Sequence, residues 1–291
     1  MIKKCIFSIA LLASLAVAGQ TWSTNQAGQH IVLDLWPDEA PVSNGVDYHA
    51  PDNSNDVKPQ LHVFLPSGHS EASRAVIICP GGAYAGLAMQ HEGFEWSDFF
   101  TSRNIAALVL LYRLPYGHHQ VPADDLLQAI RLTQRHAGQW NIDPGQIGVM
   151  GSSAGGHLAT TVATHAPASL RPAFQILFYP VVSTDSLVTH QWSCDNLLRH
   201  HPSPELLHYY SNERHVTPDT PAAFIAASAD DHDVPILNSA RYFEALTRNG
   251  VPSVIHIYPT GGHGWGIKQD FRYHKPMLQD LSDWLEALPG R

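Results

Sequence analysis

The stretch Ile147-Gly148-Val149-Met150-Gly151-Ser152-Ser153-Ala154-Gly155-Gly156 decides how this chain is read. A short apolar run of strand character leads into it, and a small-residue segment suited to a helix leads out. Between them, Gly151-x-Ser153-x-Gly155 demands a sharp turn that holds a serine hydroxyl out at the end of the strand. Glycines are needed there because a Cβ would collide with the adjoining strand and helix. Ser153 is therefore the candidate nucleophile, and Ser152, at the variable position, points elsewhere. Gly and Ser also open ordinary helices, so the motif gains its meaning from the strand before it, the helix after it and the partners found outward from it.

A serine hydroxyl is a weak nucleophile until a base takes its proton, and in this setting the chain order is Ser, acid, His. Gly261-Gly262-His263-Gly264-Trp265-Gly266 supplies the base. The chain has 19 histidines, but only His263 sits on a glycine-rich loop directly after the last strand-like run. The acid belongs after the preceding strand, where Ala229-Asp230-Asp231-His232-Asp233-Val234-Pro235 offers three carboxylates. Asp231, three residues before Val234-Pro235, is the choice, with Asp230 and Asp233 as alternatives or as helix caps. A metal site around His232 is disfavoured because no second ligand cluster is recognisable, and no metal or cofactor is expected. Pro80-Gly81-Gly82-Ala83-Tyr84 follows another strand-like run and offers backbone donors for an oxyanion at Gly82 and Ala83, with Ala154 adding the amide after the nucleophile.

Beyond these motifs, strand-like runs recur at 61–65, 75–79, 105–111, 147–150, 174–179, 223–227 and 253–258, several of them continuously apolar. Helix candidates at 122–137, 154–165, 235–248 and 276–288 alternate with them. The expectation is an α/β fold in three layers, with a mostly parallel central sheet covered by helices on both faces. Two regions break the alternation. Residues 20–57, with Pro37, Pro41 and Pro51, read as an N-terminal wrap of little regular structure, and 183–220 reads as a loop-like or lid-like excursion.

Lys3 and Lys4 precede an apolar run from Cys5 that ends in Ala16-Val17-Ala18. This predicts a secretory signal over 1–18 rather than a spanning helix, followed by one domain over 19–291 in the periplasm or outside the cell. Cys79 and Cys194 remain, too few for a disulfide framework, and both read as structural. The 17 basic against 26 acidic residues disfavour a nucleic-acid partner, and no stable membrane insertion is expected. The 44% apolar content fits a packed globular chain and excludes collagen-like and disordered classes.

Other residues carry blander readings. His157, one turn past Ser153, reads as packed, and His118-His119 and His200-His201 as loop residues. Tyr84, His91, Glu92 and Trp265 could line a substrate pocket or belong to the core.

Taken together, Cys79-Pro80-Gly81-Gly82 with Tyr84, His91-Glu92-Gly93, Tyr112-Arg113-Leu114-Pro115, Trp140-Asn141-Ile142-Asp143-Pro144, Gly151 to Ala159, Asp230-Asp231 with Val234-Pro235, and Gly261 to Gly266 make the chain resemble an α/β-hydrolase esterase of the bacterial acetyl xylan esterase-like group. The resemblance spans 75–270 and places the family's nucleophile, acid and base on Ser153, Asp231 and His263. Ser152 stands where the family has a large apolar residue, and Ala83 replaces the third glycine of the oxyanion loop; neither removes a backbone amide. The resemblance implies a secreted serine carboxylic ester hydrolase, acting on acylated carbohydrate or a small ester and deacetylating plant cell-wall carbohydrate. A prolyl-oligopeptidase-like peptidase and a non-catalytic carbohydrate-binding protein on the same fold are the alternatives.

Overall fold

Every residue from Ala75 to Cys79 and from Ala106 to Leu110 is fully buried, so the strands that carry them must be covered on both faces. The computed structural model, which describes residues 21–25, 28–48, 56–68 and 71–289, arranges them accordingly. Among the described residues, nine strands form one sheet. β1 (Thr21–Asn25), β2 (Gly28–Asp34) and β3 (Gln60–Leu65) pair antiparallel in succession, and β3 pairs antiparallel with β5 (Ile105–Leu111). From β5 the order continues through β4 (Ser73–Cys79), β6 (Ile142–Ser152), β7 (Phe174–Phe178), β8 (Ala222–Ser228) and β9 (Ser253–Tyr258), all parallel. The chain leaves β4 toward one edge and β6 toward the other. The carboxyl ends of these two neighbours therefore flank the crevice where α/β sheets bind ligands.

Alternation along the strands feeds two cores. Ala75, Ile77 and Cys79 pack under α2 (Val121–Trp140), α3 (Ala154–His165) and α6 (Leu237–Arg248), whereas Val76 and Ile78 pack under α1 (Trp96–Thr101) and α7 (His274–Ala287). The expected three layers are thus present. Asn141, in the left-handed conformation with φ 53°, ends α2. α6 stops before Asn249-Gly250, where Val251 N–H donates to the Leu246 carbonyl at 3.0 Å.

Two expectations need correction. The wrap is not devoid of regular structure: β1 and β2 extend the sheet, because Ile31, Leu33 and Leu35 alternate with more exposed neighbours and are buried. The wrap is then tied to the body by a buried ion pair. Arg113 and Asp125 approach to 2.6 Å, Trp36 Nε1 donates to Asp125 at 2.7 Å, and Arg113 donates to the Val42 carbonyl at 2.6 Å. The 183–220 excursion is likewise not a plain loop. It carries α4 (Gln191–Leu198), α5 (Pro204–Tyr209), whose N-cap Ser203 accepts from Leu206 N–H, and a 3₁₀ turn at Asn212–His215.

The expected signal at 1–18 lies outside the described residues. No described helix is long and apolar enough to cross a membrane. Cys79 and Cys194 are buried free thiols, and burial raises both above the ordinary thiol value, Cys194 to about 11.

Candidate active site

β6 delivers the chain into a turn that only glycine permits. Ser153 stands at φ 52° and ψ −120°, a strained position for a side-chain-bearing residue. A Cβ at Gly155 would come within 2.0 Å of the Cys79 carbonyl oxygen, and one at Gly151 within 2.2 Å of the Gly155 carbonyl oxygen. Without those side chains α3 lies directly against the ends of β4 and β6. The turn is closed by backbone: Ser153 N–H donates to the Phe178 carbonyl at 3.0 Å, and the Ser153 carbonyl accepts from Val181 N–H at 3.0 Å and His157 N–H at 3.2 Å.

The loop after β9 brings His263 to this serine. Its Nε2 lies 2.8 Å from Ser153 Oγ and its Nδ1 lies 2.7 Å from Asp231 Oδ2. A carboxylate only accepts, so Nδ1 carries the proton and Nε2 is left to accept from the serine hydroxyl. Asp231 is itself fixed, since its Oδ1 accepts from the backbone N–H of Asp233 and of Val234, each at 2.9 Å. Asp230 turns the other way and accepts from Gly262 N–H at 2.8 Å and Gly261 N–H at 3.3 Å, bonds that lower its pKa below the ordinary carboxylate value and pin the histidine loop.

On the opposite side, the 81–84 loop is held in unusual backbone, with φ 128° at Gly82, 54° at Ala83 and 57° at Tyr84. Among the described residues, the amides of Gly82, Ala83 and Ala154 have no hydrogen-bond acceptor. They are the three amides expected to serve an oxyanion. Gly81 N–H points backward instead and donates to Glu92 Oε2 at 2.7 Å.

That contact corrects the expected pocket. Glu92 is 3% exposed, and its other oxygen accepts from the Tyr179 hydroxyl at 2.7 Å. Tyr179 in turn accepts from Gly266 N–H at 2.7 Å and packs edge-on against the His263 ring, with centroids 4.7 Å apart. Glu92 thus braces the 81–84 loop and, through Tyr179, the histidine loop, and is buried between them. Its position depends on a π-helical turn at Gln90–Phe94 that no residue pattern announces. Trp265 is also buried, donating to Ser228 Oγ at 3.0 Å and lying flat on Phe271 with centroids 4.2 Å apart. Tyr84 is buried beneath its own loop, bonded to His157 Nδ1 at 2.9 Å. His91 is partly exposed and lies against the histidine loop, its carbonyl accepting from Ile267 N–H at 3.0 Å.

His157 proves to be packed, as read. Its Nε2 meets the Tyr210 carbonyl at 2.9 Å and must donate, so Nδ1 accepts from Tyr84, and burial lowers the imidazole to about 4. Three residues near the site escaped the sequence reading. Tyr179 looks like the last residue of a core strand, His190 opens α4 within electrostatic reach of His263, and Asn196 donates from α4 to the Ala83 carbonyl at 2.8 Å. Each reaches the site from a segment distant in sequence. Among the described residues no cluster of three or more His, Cys, Asp or Glu is disposed to hold a metal.

The α/β-hydrolase fold family matches residues 80–267. The chain belongs to that family. It is 42% identical over 241 residues to an acetylxylan esterase of Xylanibacter ruminicola, covering 81% of this chain and 50% of that protein. It is 33% identical over 227 residues to endo-1,4-beta-xylanase B of Butyrivibrio fibrisolvens, covering 73% of this chain and 35% of that one. The chain therefore spans half the length or less of these two relatives. A crystal structure of an acetyl ester-xyloside bifunctional hydrolase from Caldicellulosiruptor lactoaceticus superposes with a TM-score of 0.77 at 34% identity, covering 88% of this hydrolase-fold chain and 95% of the other.

Proposed function

We propose that the chain is a secreted serine carboxylic ester hydrolase that removes acetyl groups from xylan or xylo-oligosaccharides through an acyl-enzyme. The observation that carries this reading is the continuous line Ser153 Oγ, His263 Nε2, His263 Nδ1, Asp231 Oδ2, with contacts of 2.8 and 2.7 Å. His263 takes the serine proton as Oγ attacks the ester carbonyl, and Asp231 keeps the imidazole in the receptive tautomer and steadies it once charged. The oxyanion settles on the amides of Gly82, Ala83 and Ala154. Collapse of the tetrahedral intermediate breaks the ester C–O bond, and the sugar hydroxyl leaves with the proton held by His263. Water, deprotonated by the same imidazole, then attacks the acyl-serine, and carboxylate and free serine result.

The substrate part of the proposal is supported by the two relatives and the solved structure, whose names speak of acetylxylan, xylan and acetyl esters. The test is release of free acetate from acetylated xylan, compared with feruloylated and pectic polysaccharides and with aminoacyl amides, by wild type and S153A. Release from acetylated xylan by the wild type alone is expected. Faster turnover of the amides, or acetate release that survives in S153A, would reverse the reading.

A further inference from the structure

α4 bridges the two halves of the candidate site. Near its end, Asn196 donates to the Ala83 carbonyl at 2.8 Å, while its own carbonyl accepts from Gly117 N–H at 3.2 Å. At its start, His190 pairs with Ser193 Oγ at 2.8 Å and sits within electrostatic reach of His263, Asp231 and Asp233. One end of α4 thus rests on the 81–84 loop and the other lies within electrostatic reach of His263.

Trp192 stands in the first turn of this helix and is 60% exposed. Among the residues whose side chains are described it is the one tryptophan so exposed, and the one ring it meets is that of His190, edge-on at 6.4 Å. Leu187, shortly before the helix, is 81% exposed. The indole stands largely in water, and the His190 ring it meets lies within electrostatic reach of His263. A broad apolar face kept in water at the rim of a site is suited to burial against a ligand.

We infer that Trp192 is the platform of a sugar subsite, on which a pyranose ring of a neutral xylan-type chain stacks while its acetyl group reaches Ser153. The inference rests on the esterase reading above and adds the residue that would select carbohydrate. A β-xylopyranose holds its hydroxyls equatorially and has no hydroxymethyl group, so both ring faces present axial C–H groups. Such a face buries apolar surface on an indole while its hydroxyls stay hydrated. Charge selects within carbohydrates. Asp195 lies on α4 itself and Asp233 lies within electrostatic reach of His190, so a neutral chain is accepted where a polyuronate is repelled.

The test is calorimetric titration of xylohexaose and of a galacturonate hexamer into wild type, W192A and W192F, with sedimentation of each variant and a parallel assay on p-nitrophenyl acetate. W192A is expected to weaken xylohexaose binding about tenfold, with W192F retaining most of the affinity and the galacturonate hexamer binding poorly throughout. The ratio of activity on acetylated xylo-oligosaccharide to that on p-nitrophenyl acetate should fall in W192A. Equal xylohexaose affinity in wild type and W192A overturns the platform, as does a wild-type dimer that W192A dissociates, which would assign the ring to a second copy of the chain. No xylohexaose binding to the wild type also overturns it, while hydrolysis of p-nitrophenyl acetate would leave the esterase reading standing. A wild type that hydrolyses no ester overturns that reading instead, and the binding result still decides the platform.

Discussion

Two turns flank the serine hydroxyl, and they are stabilised in different ways. The 151–156 turn is closed by its own backbone and by the neighbouring strand ends, with glycines removing every side chain that would interfere. The 81–84 loop has comparable backbone strain and backbone bonds of its own, from Ala85 and Gly86 N–H to the Gly82 carbonyl, but it is also held from outside, by the Glu92 carboxylate on Gly81 N–H and by Asn196 on the Ala83 carbonyl. Both turns leave a glycine signature, whereas the distant side chains that brace the second leave none.

Removing the reacting groups sets the largest effects. S153A should lower kcat by about 10⁴- to 10⁶-fold on a short acyl ester, and S153A/H263A should be no worse than either single change, since the pair acts as a unit. D231N should cost about 10⁴-fold in kcat, because an amide at Nδ1 stabilises the wrong tautomer. Comparable losses in D230N would instead show that the loop contact to Gly262, and not the imidazole contact, is the critical one.

The external support of the 81–84 loop comes next. E92A leaves Gly81 N–H and the Tyr179 O–H without an acceptor in a buried site, and kcat should fall about 100-fold with KM nearly constant. E92Q keeps one acceptor and should recover about half of that loss on a logarithmic scale. Steady-state kinetics on p-nitrophenyl acetate with circular dichroism of both variants checks this; a rise in KM at constant kcat would mean that Glu92 serves binding and not the loop.

The turn at 151–156 also depends on what lies beneath it, and pH exposes this. His157 has a folded value near 4, below the unfolded 6.5, so the unfolded chain binds more protons in between. The contribution of His157 is therefore intact above pH 6.5 and is lost as pH falls toward 4, by about 3 kcal/mol. Urea titrations from pH 7 to 4 should show the midpoint dropping, and H157Q, which can still accept from Tyr84 and donate to Tyr210, should flatten that limb. The smallest effect belongs to D230N, a few-fold in kcat at most, because the bonds it weakens, one exposed and one part-buried, are made to loop backbone.

The same contrast explains what was legible in the residues. The elbow, the mostly parallel character of the sheet and the choice of Ser153 and His263 follow from period, glycine and chain order, whereas the crossover that sets β5 outside β4 does not. The choice among Asp230, Asp231 and Asp233 could not be closed, because all three are oxygen acceptors on one turn and only their side-chain directions separate them. Glu92 and Trp265 read as pocket residues because an acid and an indole near a site suggest ligand contact; the partners that bury them, Tyr179 and Ser228, come from other strands. β2 was hidden by the Pro- and Asn-rich surroundings of Ile31, Leu33 and Leu35, and α4 by the prolines and paired histidines that follow it.

Everything in the proposed chemistry requires that Ser153 be nucleophilic because His263 is beside it. Labelling the protein with a serine-directed phosphonate and mapping the adduct by mass spectrometry tests that directly. A single adduct on Ser153, formed in the wild type and lost in H263A, is the predicted result; no adduct, or one on another serine, would contradict it.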